Sequence, residues 1–190
     1  MRILVACEYS GRVRDAFIAR GHDAISCDLL PSETPGPHVQ GDVVPLLSQP
    51  WDMIVAFPPC TYLSSSGIHW NSRIPGRDSL TQEASEFFML FANSQCPRIA
   101  IENPVGVMSS RWRKPDQIIQ PWMFGEDASK RTCLWLKGLP ALQPTNILTR
   151  QRYANQTPTG QNNLGPSPQR AKLRSLTYQG IADAMAAQWG

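Results

Sequence analysis

The chain has 190 residues, 42% of them apolar, and a formal net charge of +3. That length suits one compact domain, burying roughly 70% of its unfolded surface without disulfide or metal staples. The opening run MRILVACEYSG is too short in apolar residues for a signal peptide, and no stretch reaches the roughly 18 apolar residues of a membrane span. A cytoplasmic protein without membrane contact is the expectation.

The residues RILVAC (2–7) form a continuous apolar run, as in a strand buried on both faces. SGRVRDAFIARG follows with Val13, Ala16, Phe17 and Ala19 at helical spacing, and Gly21 suits the helix stop. HDAISCDLL reads as a second strand ending in Asp28, PSETPGPH as a loop, and VQGDVVPLL as a short element. WDMIVAF is a third strand, halted by Pro58 and Pro59, because proline cannot donate to a sheet ladder. LTQEASEFFMLFANSQ (80–95) predicts a helix with Leu80, Ala84, Phe87, Phe88, Phe91 and Ala92 on one side. PRIAIENP predicts a fourth strand, KRTCLWL (130–136) a fifth, and YQGIADAMAAQWG a closing helix. Strands alternating with helices argue for α/β architecture with a doubly wound, mostly parallel sheet.

In such sheets ligands bind outside the carboxyl ends of the strands. Glu8 with Gly11, Asp28, Asp42, Cys60 and Glu102 all fall at or just after those ends. Residues 144–175 are rich in Pro, Gln, Asn and Thr, a long irregular segment of a kind that is functional or disordered in compact domains. Charge is uneven too. Residues 1–127 carry ten basic and fourteen acidic side chains, whereas 128–182 carry eight basic ones and no acid. That asymmetry fits either a polyanion-binding face or a solvated loop.

The five cysteines stand singly, without CxxC spacing, so neither structural zinc nor disulfides are expected. Four read as small buried hydrophobes. Cys60 differs, because two prolines hold it just past a strand end, where a thiolate can act as a nucleophile. Glu102 ends the neighbouring strand candidate and, when protonated, can donate to a ring nitrogen while the thiol adds to an electron-poor ring carbon. Asp28, about 20 residues after a strand–turn–helix, is placed for ribose hydroxyls, although turn chemistry is an equal reading for Asp28 and Asp42. The loop CEYSG has one glycine, not GxGxxG, and suits a cofactor without phosphates, such as S-adenosylmethionine (SAM).

FPPCTYLSSSG resembles the catalytic loop of the cytosine-C5 DNA methyltransferases, IENP resembles their Glu-Asn motif, and ASKRTCLWL a degenerate form of their Gln-x-Arg-x-Arg strand. The motif order also agrees, over about residues 3–140, and the compact size and the ending RSLTYQGIADAMAAQWG are most similar to small phage-type members. The resemblance implies a Rossmann-like SAM-dependent methyltransferase fold. It implies that Cys60 attacks C6 of an extruded cytosine, that Glu102 binds N3 and N4, and that Arg131 joins them. It further implies SAM binding by Glu8, Ser10, Gly11, Asp28, Asp42 and Pro58, and DNA binding, duplex or single-stranded, by Ser64 and Ser66. The second arginine of the Arg-x-Arg pair falls on Cys133. A target-recognition domain of usual size is lacking, so residues 1–190 are read as one catalytic domain. In it the segment 144–175 does the DNA-facing work, with Arg150, Arg152, Arg170, Lys172 and Arg174 on phosphates.

Three other classes stay open: a nucleotide-level enzyme methylating dCMP, a non-catalytic DNA-binding protein on a methyltransferase scaffold, and a thiol hydrolase. The last finds no base near Cys60 in sequence except His69.

Overall fold

The computed structural model describes residues 1–165, 167 and 170–190. In chain order it contains β1 (Arg2–Ala6), α1 (Arg12–Ile18), β2 (Asp23–Asp28), β3 (His38–Gln40), β4 (Met53–Ala56), α2 (Ser65–Ile68) and α3 (Arg77–Ala92). Then follow β5 (Ile99–Pro104), α4 (Met108–Arg111), β6 (Gln117–Ile119), β7 (Thr132–Lys137), α5 (Arg170–Ser175) and α6 (Gln179–Trp189). Single 3-10 turns cover Val44–Ser48 and Pro121–Met123. The strands make one sheet in the order β3-β2-β1-β4-β5-β7-β6. The first five strands in that row run parallel, while β7 is antiparallel to β5 and β6 to β7. This is the doubly wound, mostly parallel, Rossmann-like sheet expected from the sequence.

The pleat sends alternate side chains to opposite faces. Ile3, Val5, Met53, Val55, Ala100 and Leu134 enter one core layer with α1 and α6. Leu4, Ala6, Ile54, Ala56, Ile99, Ile101, Cys133 and Trp135 enter the other, beneath α3. Both faces being covered explains the unbroken apolar runs of β1 and β4. Phe88 of α3 is fully buried and meets Trp135 edge-on at 5.2 Å between ring centroids. Truncating such a ring to alanine costs about 3–5 kcal/mol.

Several expectations need correction. The helix expected over 80–95 begins at Arg77 and ends at Ala92, because Gly76, at φ 77, starts it where no Ser, Thr, Asp or Asn marks the turn. Its fully buried positions are Thr81, Ser85, Phe88 and Phe91, and Leu80 faces outward. The reason is polar: the Arg111 guanidinium reaches in to donate to the Ser85 hydroxyl at 3.0 Å and the Thr81 carbonyl at 3.4 Å. Ala19 lies one residue beyond the end of α1 and is exposed. The segment 144–175 is irregular for most of its described length, but it ends in α5.

Arg14, in the middle of α1, is wholly buried. Its guanidinium donates to Asp15, Ser26, Ser32 and Thr34, so one side chain gathers the β2–β3 loop over the start of α1. No helix among the described residues is long and apolar enough to cross a membrane.

Candidate active site at the carboxyl edge of the sheet

Strand order reverses between β1 and β4, which opens a crevice at their carboxyl ends. Cys7, immediately after β1, has φ 59, a left-handed backbone uncommon for a residue with a side chain. Burial pushes its thiol far up, and the charges of Asp28, Cys27 and Asp42 add to the shift. Asp28 and Asp42 are therefore both near enough to the end of β1 for their charges to act on the Cys7 thiol. Each also makes the turn bond of the competing reading. Asp28 accepts the Leu30 N–H at 2.9 Å and Asp42 the Val44 N–H at 3.0 Å. In each carboxylate one oxygen does this work and leaves the other for a ligand.

Glu8 is buried and takes a very short hydrogen bond from the Ser10 hydroxyl, while its second oxygen is buried without a partner. Burial pushes this carboxyl up; Ser10, Arg14 and the backbone N–H groups of Val13 and Arg12 oppose the rise. Gly11 has φ 78, and a Cβ there would lie 2.0 Å from the Thr34 hydroxyl, so this turn admits only glycine. The orphaned oxygen of Glu8 and the two aspartates thus lie at or just past the carboxyl ends of β1, β2 and β3, a polar set of the kind that could take an amino-acid end, a ribose and an adenine edge respectively.

Pro58 is buried, and its carbonyl accepts the side-chain N–H of Asn103 at 2.8 Å. The loops after β4 and β5 are stitched further by Ser65 N–H to Val105 carbonyl (3.0 Å) and Val107 N–H to Leu63 carbonyl (2.9 Å). Gly106 permits this approach, since a Cβ there would stand 1.9 Å from the Leu63 carbonyl oxygen. Cys60 is exposed within the stitched loop, and its own carbonyl accepts the N–H groups of Leu63 and Ser64. Ser64 and Ser66 follow directly, their hydroxyls 3.3 Å apart.

Glu102, half-buried on β5, lies close enough to Cys60 for its charge to act on the thiol. Although Cys60 is exposed, the groups packed around its sulfur partly shield it from water and so raise the thiol; Glu102 raises it further, while Lys130 and Arg174 pull it down. Burial also raises Glu102, against Lys130 and the Thr132 side chain. A carboxyl held toward its protonated form beside a thiol is the pairing that addition to a ring carbon needs.

Because β7 runs antiparallel, its first residues reach the same edge as the carboxyl ends of the parallel strands, with Thr132 opposite Pro104. Arg131 is exposed and acts on Cys133, whose thiol burial and Glu102 push up to about 11. The cation whose charge acts on both Cys60 and Glu102 is its neighbour Lys130, and Arg174 acts on Cys60 as well. Neither was singled out for this place in the sequence.

The short helix α5 straps the crevice. The Tyr9 hydroxyl donates to the Lys172 carbonyl at 3.0 Å and contacts the Ser175 hydroxyl at 3.2 Å, and Arg12 donates to the Thr177 carbonyl at 2.8 Å. Lys172, expected on phosphates, pairs with Glu33 at 2.7 Å. Arg150 and Arg152 are exposed on a separate loop, where Arg150 lies 3.9 Å from Asp127 and Tyr153 stacks on Trp122. Arg170, half-buried, opens α5. Among the described residues no three His, Cys, Asp or Glu side chains converge as metal ligands do.

No protein-family model matches the chain, and no curated protein matches its sequence. Three solved structures similar to it are all described as methyltransferases. One is described as a DNA modification methyltransferase encoded within a prophage (E. coli), at 16% identity and a TM-score of 0.48, over 76% of this chain and 51% of that one. The S. pombe Dnmt2 methyltransferase shares 14% identity with a TM-score of 0.46, over 74% of this chain and 50% of its own. The Entamoeba histolytica methyltransferase EhMeth shares 14% with a TM-score of 0.43, over 79% and 57%. The chain thus spans about half the length of the proteins it resembles in structure.

Proposed function

We propose that the protein is a SAM-dependent methyltransferase acting on C5 of cytosine in DNA through a covalent Cys60 adduct. The observation that carries this reading is the Asn103–Pro58 bond, which fixes the Cys60 loop beside Glu102 at the carboxyl edge of the sheet. Glu8, Ser10 and Gly11, with Asp28, Asp42 and Pro58, would hold the cofactor, whose contribution when bound is an electrophilic methyl group.

The chain's own residues do the rest. Cys60 as thiolate adds to C6, and the displaced ring electrons pass through C5 and C4 to N3, where Glu102 delivers its proton. That makes C5 electron-rich, and it accepts the methyl group. Loss of the C5 proton to water and departure of the Cys60 sulfur from C6 restore the ring, and the N3 proton returns to Glu102. The thiolate is regenerated, so the sequence is catalytic.

DNA carrying 5-fluorocytosine tests the reading, because fluorine at C5 cannot leave as a proton does. With SAM present the wild type is expected to give a covalent complex that survives denaturation, and Cys60→Ser none. Trapping that persists in Cys60→Ser overturns the nucleophile. Trapping of 5-fluoro-dCMP with none of duplex or single-stranded DNA overturns the DNA substrate.

A further inference from the structure

We infer that Lys130, and not Arg131, supplies the positive charge that serves the Cys60–Glu102 pair. Three geometric observations carry this, and they rest on the reading of Cys60 as nucleophile given above. The first is strand register. Glu102 lies opposite Leu134 in the β5–β7 ladder, so the two share a face of the sheet. Along β7 the alternation puts Thr132 on that same face and Cys133 with Trp135 on the other, toward α3; carried back past the start of the strand at Thr132, it would put Lys130 with Thr132 and Arg131 with Cys133.

The second is the hold on the Lys130 backbone. Its N–H donates to the Gln120 side-chain oxygen at 2.9 Å, and the preceding Ser129 is clamped by Asn155 through both its N–H and its carbonyl, each at 2.9 Å. The third is the hold on the side chain. Its ammonium donates to the Arg174 carbonyl at 3.0 Å, so α5 restrains the lysine from above while Arg174 adds a second cation. Lys130 is thus fixed at both ends, whereas Arg131 has no hydrogen bond or ion pair among the described residues. The charged groups facing the Cys60 sulfur are Glu102 from β5, Lys130 ahead of β7 and Arg174 from α5. A lysine so placed offsets the carboxylate when the thiolate forms.

Alkylation of Cys60 by iodoacetamide, followed peptide by peptide by mass spectrometry from pH 6 to 10.5, tests this without SAM or DNA. Cys60 is the exposed cysteine of the five, so its profile is separable. Lys130→Met is expected to raise the midpoint of Cys60 and to slow its alkylation below that midpoint about three- to tenfold, a half to one unit of thiol ionisation. Lys130→Arg should stay near wild type, and Arg131→Met should leave the midpoint in place; far-ultraviolet circular dichroism confirms that each variant is folded. An unshifted midpoint in Lys130→Met overturns the inference. So does a shift in Arg131→Met or Arg174→Met equal to or larger than that in Lys130→Met. A failed fluorocytosine trap with an intact alkylation pattern would strike the methyltransferase reading and leave the cation in place.

Discussion

The side-chain amide of Asn103 donates to the carbonyl of Pro58 across 2.8 Å, and Asn103 is only 1% exposed. One buried bond therefore sets the spacing between two loops that the sequence places more than forty residues apart. Cys60 is two residues from the acceptor and Glu102 one residue from the donor, so their separation is a property of backbone, not of flexible side chains.

Asn103→Leu tests that brace. The substitution fills similar space but strands a buried carbonyl, which costs about 1–3 kcal/mol. A urea titration should show a lower midpoint with an unchanged slope. Stability within about 0.5 kcal/mol of wild type, the range of ordinary surface changes, would show that Pro58 finds water instead.

Glu102 gives a pH dependence of definite sign. Its carboxyl is raised by burial, so the folded state holds the proton more tightly than the unfolded chain does. Stability from this group is full below the unfolded carboxyl range near pH 4.5 and is lost as pH rises through the higher folded value. Glu102→Gln removes the loss. The variant should melt higher than wild type at pH 7, by roughly 2–4 °C for each kcal/mol relieved, and the difference should shrink toward pH 4. The same variant loses the proton that N3 requires, so greater stability should come with loss of methyl transfer. A variant that melts lower at pH 7 would contradict the buried charge as a burden.

Arg150 and Arg152 test the nucleic-acid face. If both touch phosphates, binding to duplex DNA falls with salt at a slope of about 0.9 per contact, and changing both to alanine flattens that slope by nearly two. Affinity should drop alike on every sequence, because phosphates carry no base identity. An unchanged slope marks the loop as a solvated surface.

Much of the fold was legible in the sequence. The apolar runs of β1, β4 and β5 and the acid that closes β2 announced a parallel sheet, and proline marked where β4 stops. The rest was hidden for identifiable reasons. β6 is three residues long, and its register comes from β7, partly through the Leu136 N–H donated to Asp116 at 2.7 Å. The start of α3 depends on the left-handed turn at Gly76, and its inner face on Arg111 from α4. At the candidate site, the positions of Cys60, Glu102 and the two aspartates along the strands were readable because strand ends are readable. Lys130 was not, since choosing between adjacent residues requires the register of a pairing whose direction the sequence does not state. Arg14 was missed because a buried guanidinium has no local signature; its partners are scattered across a loop.

The strap across the crevice sets an order of events during synthesis. Cys60 and Glu102 leave the ribosome early, on strands that can pair as soon as they emerge, while Tyr9 and Arg12 wait for partners at residues 172–177. With elongation near 5–20 residues per second, the nascent chain passes through an interval of some seconds in which the thiol is displayed with neither Arg174 nor the helix that steadies Lys130. Lys130 is made before Arg174 and the strap, so for that interval its backbone can be held by Gln120 while its ammonium has no partner from α5.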